Sequence, residues 1–255
     1  MLLDLSQQSL MFLLFSTGLV AGAVDAIAGG GGLICLPMLL GVGVPPSLAL
    51  GTNKLQASVG TCVAAFHYYR RGLVSLHELY KGLLAGFVGT VSGAYLSQTI
   101  SNEVLKYIIP FLLLAVLIYT LASPKIGMDD RHPRMSEFYF YIIFGFVMGF
   151  YDGFFGPGTG SLWIFLLTFF LGFRLIKATA YTKFFNLKSN VIALVCFMIG
   201  GNIDYRFALY MAAGQVIGGK LGAHLAVKKG AQVIRPVFIT IVSVTIATLV
   251  YRSFV

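Results

Sequence analysis

Apolar residues occur in ten runs along the chain, and short polar or glycine-rich breaks separate them. The runs cover residues 8–27, 33–44, 47–69, 82–98 and 104–122, and then 138–155, 160–172, 175–199, 205–225 and 236–253. A helix of about 20 apolar residues is long enough to cross the hydrocarbon core of a bilayer. The pattern therefore predicts an all-α polytopic membrane protein with five hydrophobic segments in each half.

The two halves repeat rare residues in register, which indicates an internal duplication. Asp25 matches Asp152 at an offset of 127 residues, and Lys54 matches Lys183 at an offset of 129 residues. Several glycines match at the same two offsets. We predict one membrane repeat over residues 1–124, a cytoplasmic linker over 125–136 and a second membrane repeat over 137–255.

Basic residues accumulate in alternate loops, as they do in the cytoplasmic loops of membrane proteins. The loops that we assign to the cytoplasm carry Arg70, Arg71, Lys81, Lys125, Arg131, Arg134, Arg174, Lys177, Lys228, Lys229 and Arg235. This assignment predicts two repeats of inverted topology, with both termini external. The second segment of each repeat is short, because about 12 helical residues span ~18 Å of a ~30 Å core. It either re-enters or crosses, and the predicted topology is the same in both cases.

The composition agrees with a membrane protein and excludes an ordinary soluble enzyme. The chain of 255 residues is 58% hydrophobic and 11% charged, whereas soluble domains carry about 25% charged residues. The cytoplasmic loops account for the net charge of +9, so it does not indicate nucleic acid binding. We expect the lipid bilayer and a small anionic substrate as partners and no bound cofactor or metal. The sequence leaves a homo-oligomer open.

Each repeat places one acid on the glycine-rich face of its first helix. Gly18, Gly22, Asp25 and Gly29 follow one another at spacings of 4, 3 and 4 residues, which puts them on one helical face. The glycines fit a small-residue packing seam, but a carboxylate costs ~2.5–3.5 kcal/mol at the centre of a membrane helix. Asp25 and Asp152 therefore either gate transport or couple it to protons, or they form inert ion pairs with lysines.

A glycine-rich loop precedes the short second helix of each repeat. The candidate binding residues in these loops are Gly29, Gly30, Gly31, Gly156, Gly158 and Thr159. Free N–H groups and the positive end of the helix dipole favour an anion at such a helix start. One such loop is often a simple helix break, whereas two related loops favour a site. Irregular backbone at membrane depth must be buried or line a wet cavity, so we expect the loops to face each other.

The third segment of each repeat carries further candidate binding residues. They are Asn53, Lys54 and Gln56 in the first repeat, and Lys183 and Asn186 in the second. Lys54 lies about seven residues, or ~10 Å, inside its helix, which is too deep for easy snorkelling. Buried ammonium groups with amide donors suit a small oxyanion. The lysines also suit the two acids as partners, and both roles hold if a pair opens when substrate or a proton arrives.

The stretches "GLVAGAVDAIAGGGGLICLPMLLGVGVPPSLALGTNKLQASVG", "YDGFFGPGTGS" and "KATAYTKFFNLKSN" carry most of these residues. They resemble the sulfite exporter TauE/SafE family, in particular its YfcA-like subgroup of bacterial inner-membrane proteins, and the resemblance covers essentially the whole chain. It implies a small secondary transporter in the bacterial inner membrane that moves sulfite, sulfonates or related sulfur-containing anions. The second copy departs from the first, because Pro157 replaces a glycine, Thr182 replaces Asn53 and Lys188 has no counterpart.

Our leading hypothesis is an alternating-access transporter. It binds a small anion between the two glycine-loop helix starts and the two lysines, and the two acids gate the path or couple it to protons. A second hypothesis is an intramembrane aspartyl protease with Asp25 and Asp152 as a carboxylate dyad. The sequence speaks against the protease, because a dyad gives no role to two buried lysines. A passive anion channel with the same site is a third hypothesis.

Overall fold

The computed structural model describes residues 6–75, 80, 83–122, 132–229 and 236. Within that part of the chain the long elements are nine helices: α1 Gln7–Ala28, α2 Gly32–Gly41, α3 Pro46–Arg70, α4 Leu83–Thr99, α5 Asn102–Ala122, α6 Glu137–Phe154, α7 Thr159–Phe170, α8 Leu175–Ile199 and α9 Tyr205–Lys229. They confirm nine of the ten predicted segments to within a few residues at each end. The tenth predicted segment, 236–253, lies outside the described residues except for Pro236.

Capping residues and prolines mark the helix boundaries. α1 begins after Ser6, whose hydroxyl accepts the N–H of Ser9 at 3.3 Å and so satisfies a free donor of the first turn. The same helix ends at Gly29, which has a φ of 77°, a left-handed conformation that costs glycine little. α3 begins at Pro46, whose missing N–H is not needed in the first turn of a helix.

The short second helix of each repeat folds back along the first helix. In repeat 2, the ring of Phe170 at the end of α7 lies 5.0 Å from the ring of Phe144 and 6.4 Å from that of Phe140, near the start of α6. In repeat 1, a Cβ atom on Gly31 would lie 2.8 Å from the carbonyl oxygen of Ala21, so α2 starts beside the last turns of α1. Each repeat therefore opens with a helical hairpin whose tip is the glycine loop.

Two closely packed helix pairs join the repeats. α9 lies on α1, where a Cβ atom on Gly218 would overlap the carbonyl oxygen of Leu19. α4 lies on α6, where a Cβ atom on Gly89 would overlap the carbonyl oxygen of Phe146. The two contacts are copies of each other, because both partners shift by the repeat offsets of 127 and 129 residues. At both contacts the backbones approach too closely for a side chain, as in packing seams of small residues.

α3 and α8 run antiparallel through the middle of the molecule. The N–H of Ser75, which follows α3, donates to the hydroxyl of Tyr181 near the start of α8 at 3.1 Å. At the opposite end, the N–H of Asp204, which follows α8, donates to Oγ1 of Thr52 near the start of α3 at 2.9 Å. Both residues of the first bond lie 129 positions from their counterparts in the second. α3 and α8 thus point in opposite directions.

The outer surface carries large apolar side chains. Among them, Phe12 is 71% exposed, Tyr107 74%, Phe111 72% and Ile199 84%. Extensive exposed apolar area marks an interaction surface. Two of the described helices, α1 and α8, are also long and apolar enough to cross a bilayer. These are features of a chain that lies in lipid.

The glycine contacts between α1 and α9 give a prediction about stability. We expect Gly218→Ala to lower the melting temperature in detergent by on the order of 5 °C, because overpacking costs about 1–3 kcal/mol. Gly219→Ala is the matched control on the same helix, since its added Cβ would lie 3.1 Å from its nearest neighbour, the carbonyl oxygen of Gly60. A thermal melt followed by size-exclusion chromatography measures both. Equal melting temperatures for the two variants would contradict the close approach.

Candidate functional site

Two buried ion pairs connect the repeats. Nζ of Lys54 lies 2.7 Å from Oδ1 of Asp152, and Nζ of Lys183 lies 3.3 Å from Oδ2 of Asp25. The lysine of each repeat therefore pairs with the aspartate of the other. The sequence predicted that these four residues would be buried together but left open which lysine pairs with which acid.

Each ammonium group also lies at the C-terminal end of a helix. Lys54 donates to the backbone carbonyl of Asp152 near the end of α6, and Lys183 donates to that of Asp25 near the end of α1. The last carbonyls of a helix carry the negative end of its dipole, so a cation is favourable there, and the Asp25 carbonyl accepts from Lys183 in addition to the N–H of Gly29 at 2.8 Å. The glycine loops end both helices at this depth, and they thereby create the two cation positions.

The pair between Lys54 and Asp152 is closed off from its surroundings. The side chains are 1% and 2% exposed. Ser189 donates to Oδ2 of Asp152, and Oδ1 of Asn190 accepts from Lys54 at 3.4 Å. Both carboxylate oxygens of Asp152 therefore have a partner, as buried charges require.

The pair between Lys183 and Asp25 is less enclosed. The Lys183 side chain is buried, but 15% of the Asp25 side chain is exposed. The second carboxylate oxygen, Oδ1, accepts only a long bond of 3.4 Å from the N–H of Gly31 among the described residues. The hydroxyl of Tyr68 donates to the neighbouring carbonyl of Ala26 at 2.9 Å and holds this end of α1 against α3.

The two glycine loops contact each other, as the sequence predicted. A Cβ atom on Gly29 would lie 2.5 Å from Cα of Gly160, and one on Gly32 would lie 3.0 Å from Cα of Pro157. The hydroxyl of Ser161 also donates to the carbonyl of Ala28 at 3.0 Å across the contact. Glycine at position 29 is therefore required by packing between the loops, whether or not a ligand approaches its backbone.

The remaining loop candidates differ in what surrounds them. Gly156 has a φ of 96° and lies beside the first ion pair, since its added Cβ would be 2.5 Å from Nζ of Lys54. Gly158 has a φ of 82° at the start of α7, and the hydroxyl of Thr159 donates to the carbonyl of Gly156 at 2.6 Å. Gly30 has room for a Cβ atom, whose nearest contact would be 3.6 Å away. The residues of both loops lie near the ion pairs.

The amide candidates separate into two groups. Asn53 accepts from Nε2 of Gln56 at 2.7 Å, and Oε1 of Gln56 accepts in turn from Gln215. This chain of amides continues to the thiol of Cys35, 3.9 Å from Nε2 of Gln215, and no described contact links it to either lysine. Asn186 instead lies at the loop contact, where its Nδ2 is 2.9 Å from the position of a Cβ on Gly160.

Two residues of this region, Gln215 and Ser189, were not among the predicted site residues. Gln215 is the single amide on a glycine-rich stretch of α9 and is 2% exposed. A single amide among the glycine and apolar residues of this stretch could have been recognised in the sequence as a candidate for a buried polar contact. Ser189 and Asn190 follow Lys183 at six and seven residues on α8, so two helical turns place them at the height of the other lysine.

Comparison with known proteins decides the family. The model of the sulfite exporter TauE/SafE family matches residues 14–249. The chain belongs to the TauE/SafE family. A protein of Haemophilus influenzae named "Probable membrane transporter protein" is 42% identical over 242 residues, which cover 95% of each chain. Membership confirms the family resemblance and the coarse functional class, a membrane transporter.

Other relatives carry similar names. The Escherichia coli K12 protein YfcA, "Probable membrane transporter protein YfcA", is 41% identical over 244 residues, which cover 96% of this chain and 91% of the relative. The Bacillus subtilis protein YunE is 29% identical over 237 residues, which cover 82% and 85% of the two chains. No solved structure matches the chain. None of these three relatives' names states a substrate.

The enclosed pair of this TauE/SafE protein gives a second stability prediction. We expect Asp152→Leu to destabilise the protein by about 3–5 kcal/mol, because it leaves the Lys54 ammonium buried without a counter-charge. The double variant Lys54→Met with Asp152→Leu should recover most of that loss, since no charge then remains buried. Thermal melts of both single variants and the double variant measure the coupling. Additive losses would show that the two charges do not depend on each other.

Proposed function

We propose that this TauE/SafE protein is a secondary transporter for a small anion, bound at the repeat interface beside the glycine loops. The observation that carries the proposal is the pair of buried lysines, each held by an aspartate of the opposite repeat. A buried ammonium group needs a counter-charge, and an anionic substrate can supply it in place of a carboxylate whose own charge has been neutralised. The amide of Asn186 and the hydroxyl of Ser161 add polar groups at the same interface.

The inferred substrate class is a sulfur-containing oxyanion or an organosulfonate. The family description names sulfite as the exported anion, and ammonium and amide donors suit the oxygens of such anions. Direct binding measurements with sulfite, sulfate, thiosulfate, sulfoacetate and taurine would rank the candidates.

Alternating access is the inferred mechanism, with two repeats of inverted topology in the inner membrane. Its support is the antiparallel arrangement of α3 and α8 and the copied hydrogen bonds at their two ends. Rocking of one such repeat against the other exposes a central site to each side in turn. In this proposal both termini are external and the hairpins of α1–α2 and α6–α7 re-enter the membrane.

The two alternative functions receive less support. The described partners of the Asp25 and Asp152 carboxylates are lysine, serine and backbone groups. A protease dyad needs the two carboxylates to share a proton, and these partners do not favour that arrangement. A passive channel shares the proposed site but cannot accumulate an anion against its gradient, so a flux measurement separates it from a transporter.

The site assignment predicts the effect of removing each lysine. In proteoliposomes, we expect Lys183→Gln to reduce sulfite flux at least about tenfold, because the anion loses a charge-assisted contact of about 1.5–3 kcal/mol. Lys54→Gln should also reduce the flux, because it leaves the Asp152 carboxylate buried without a counter-charge. Lys220→Gln, on the exposed side of α9, is the control and should keep the flux of the unaltered protein. Flux normalised to folded protein is the measurement. Full flux in both site variants would refute the assignment.

The inverted topology predicts opposite accessibility for two equivalent positions. Ser75→Cys and Asp204→Cys, each introduced into a chain without its native cysteines, occupy the two copies of the same hydrogen bond. Under the proposed orientation, a membrane-impermeant maleimide added to intact cells should label Cys at position 204 and spare position 75. Labelling of position 75 alone would reverse the orientation, and labelling of both or neither before cell lysis would contradict inverted repeats.

A further inference from the structure

The two ion pairs occupy equivalent positions, but they are not equally satisfied. An ammonium group has three donors. Lys54 has three described acceptors, which are the carbonyl and Oδ1 of Asp152 and Oδ1 of Asn190. Lys183 has two, which are the carbonyl and Oδ2 of Asp25. One donor of Lys183 therefore remains without a partner among the described residues.

The acids differ in the same direction. Asp152 has a lysine on one oxygen, at 2.7 Å, and Ser189 on the other. Asp25 has its lysine at 3.3 Å and only the 3.4 Å bond from Gly31 on the other oxygen. Its side chain is also 15% exposed, compared with 2% for Asp152. Protonation of Asp25 would therefore break weaker contacts than protonation of Asp152.

Few charged groups surround Asp25. α8 contributes Lys183, and the titratable groups on α2 and α3 at this end are the thiol of Cys35 and the phenol of Tyr68. On α9, His224 is exposed and lies against the ring of His67, 6.1 Å away. The residues of α7 include no titratable side chain. Among the described residues, Lys183 is thus the charged group that pairs directly with the Asp25 carboxylate.

An unsatisfied amide lies next to this pair. Asn186 follows Lys183 by one helical turn, is 4% exposed, and its Oδ1 has no described hydrogen-bond partner. Its side chain reaches the contact of Gly29 with Gly160, just beyond the end of α1. Oδ1 is an acceptor, and a buried acceptor without a donor costs about 1–3 kcal/mol, so a protonated carboxyl or oxyanion that donates to it is favoured beside it. The open donor of Lys183 and this amide lie on the same side of α8.

We propose that the anion binds at the Lys183 half of the interface together with a proton on Asp25, whereas the Lys54–Asp152 pair is a fixed structural contact. This inference rests on the proposed transport function and assigns different roles to its two acids. When Asp25 is protonated, its carboxyl group no longer forms an ion pair with the Lys183 ammonium group. The ammonium group stays in place because it also donates to the backbone carbonyl of Asp25. The anion takes the position of the carboxylate, with Nδ2 of Asn186, which lies at the contact of the glycine loops, as a second donor.

The charge balance makes the coupling specific. Before loading, the Asp25 carboxylate and the Lys183 ammonium sum to zero. One proton neutralises the carboxylate, and one monovalent anion then balances the ammonium, so the loaded site is also neutral. Either ligand alone would leave a net buried charge, and a net charge is costly in an apolar environment. Proton and monovalent anion therefore move together, one to one, without net charge.

The test compares Asp25→Asn with Asp152→Asn in proteoliposomes, with two monovalent probes used separately, which are radiolabelled sulfite supplied below neutral pH as hydrogensulfite and radiolabelled methanesulfonate. For one proton per monovalent anion, a gradient of one pH unit supports accumulation of up to about tenfold. We expect Asp25→Asn to remove this accumulation while anion exchange across the membrane continues. Asp25→Glu, which keeps a carboxyl group, should retain accumulation. Asp152→Asn should lower the melting temperature but retain pH-driven accumulation per folded molecule.

Two charge-neutral double variants cover the case in which a single variant does not fold. Thermal stabilisation by sulfite should disappear in Asp25→Asn with Lys183→Gln and persist in Lys54→Gln with Asp152→Asn. Accumulation that survives in Asp25→Asn, or stabilisation lost only in the second double variant, would overturn the inference while transport itself stands. If the unaltered protein moves neither probe, the proposed sulfur-anion transport fails, and the inference fails with it.

Discussion

A charge inside an apolar helix bundle requires an opposite charge close by, and in this protein each repeat obtains that charge from the other. Lys54 reaches Asp152 and Lys183 reaches Asp25 across the same interface. The other features of the centre serve this exchange. Glycine loops end α1 and α6 at the depth of the lysines, so carbonyl groups as well as carboxylates face the ammonium groups. The same interface is then the natural place for an anion to compete.

Close backbone approach is the second requirement, because the two ion pairs form only if helices of one repeat pack closely on helices of the other. α9 packs on α1 and α4 packs on α6 through glycines that leave no room for a Cβ atom. A side chain at Gly218 would push α9 away from α1, which carries Asp25, and a side chain at Gly89 would push α4 away from α6, which carries Asp152. Packing and electrostatics therefore depend on each other, and the glycine content of the chain is part of the charge arrangement.

Periodicity, glycine and rare charges made much of this predictable. Runs of apolar residues predicted nine described helices, and matched rare residues predicted that Asp25, Lys54, Asp152 and Lys183 belong to one interface. The pairing across repeats was not predictable, because an offset in sequence does not say whether a lysine meets its own acid or the opposite one. Gln215 was missed because it has glycine, Gly86, at the equivalent position, so a search for repeated residues passes over it. Burial and contact identify it.

The crossed pairing bears on how such a chain could have arisen. One repeat holds one lysine and one aspartate, but the observed geometry satisfies neither within that repeat. A chain of a single repeat would reach the same neutrality only by assembling with a second copy that lies antiparallel to it, as α3 and α8 do here. Fusion of two such subunits needs no new contacts. It then permits each half to change separately, which would account for the unequal surroundings of Asp25 and Asp152.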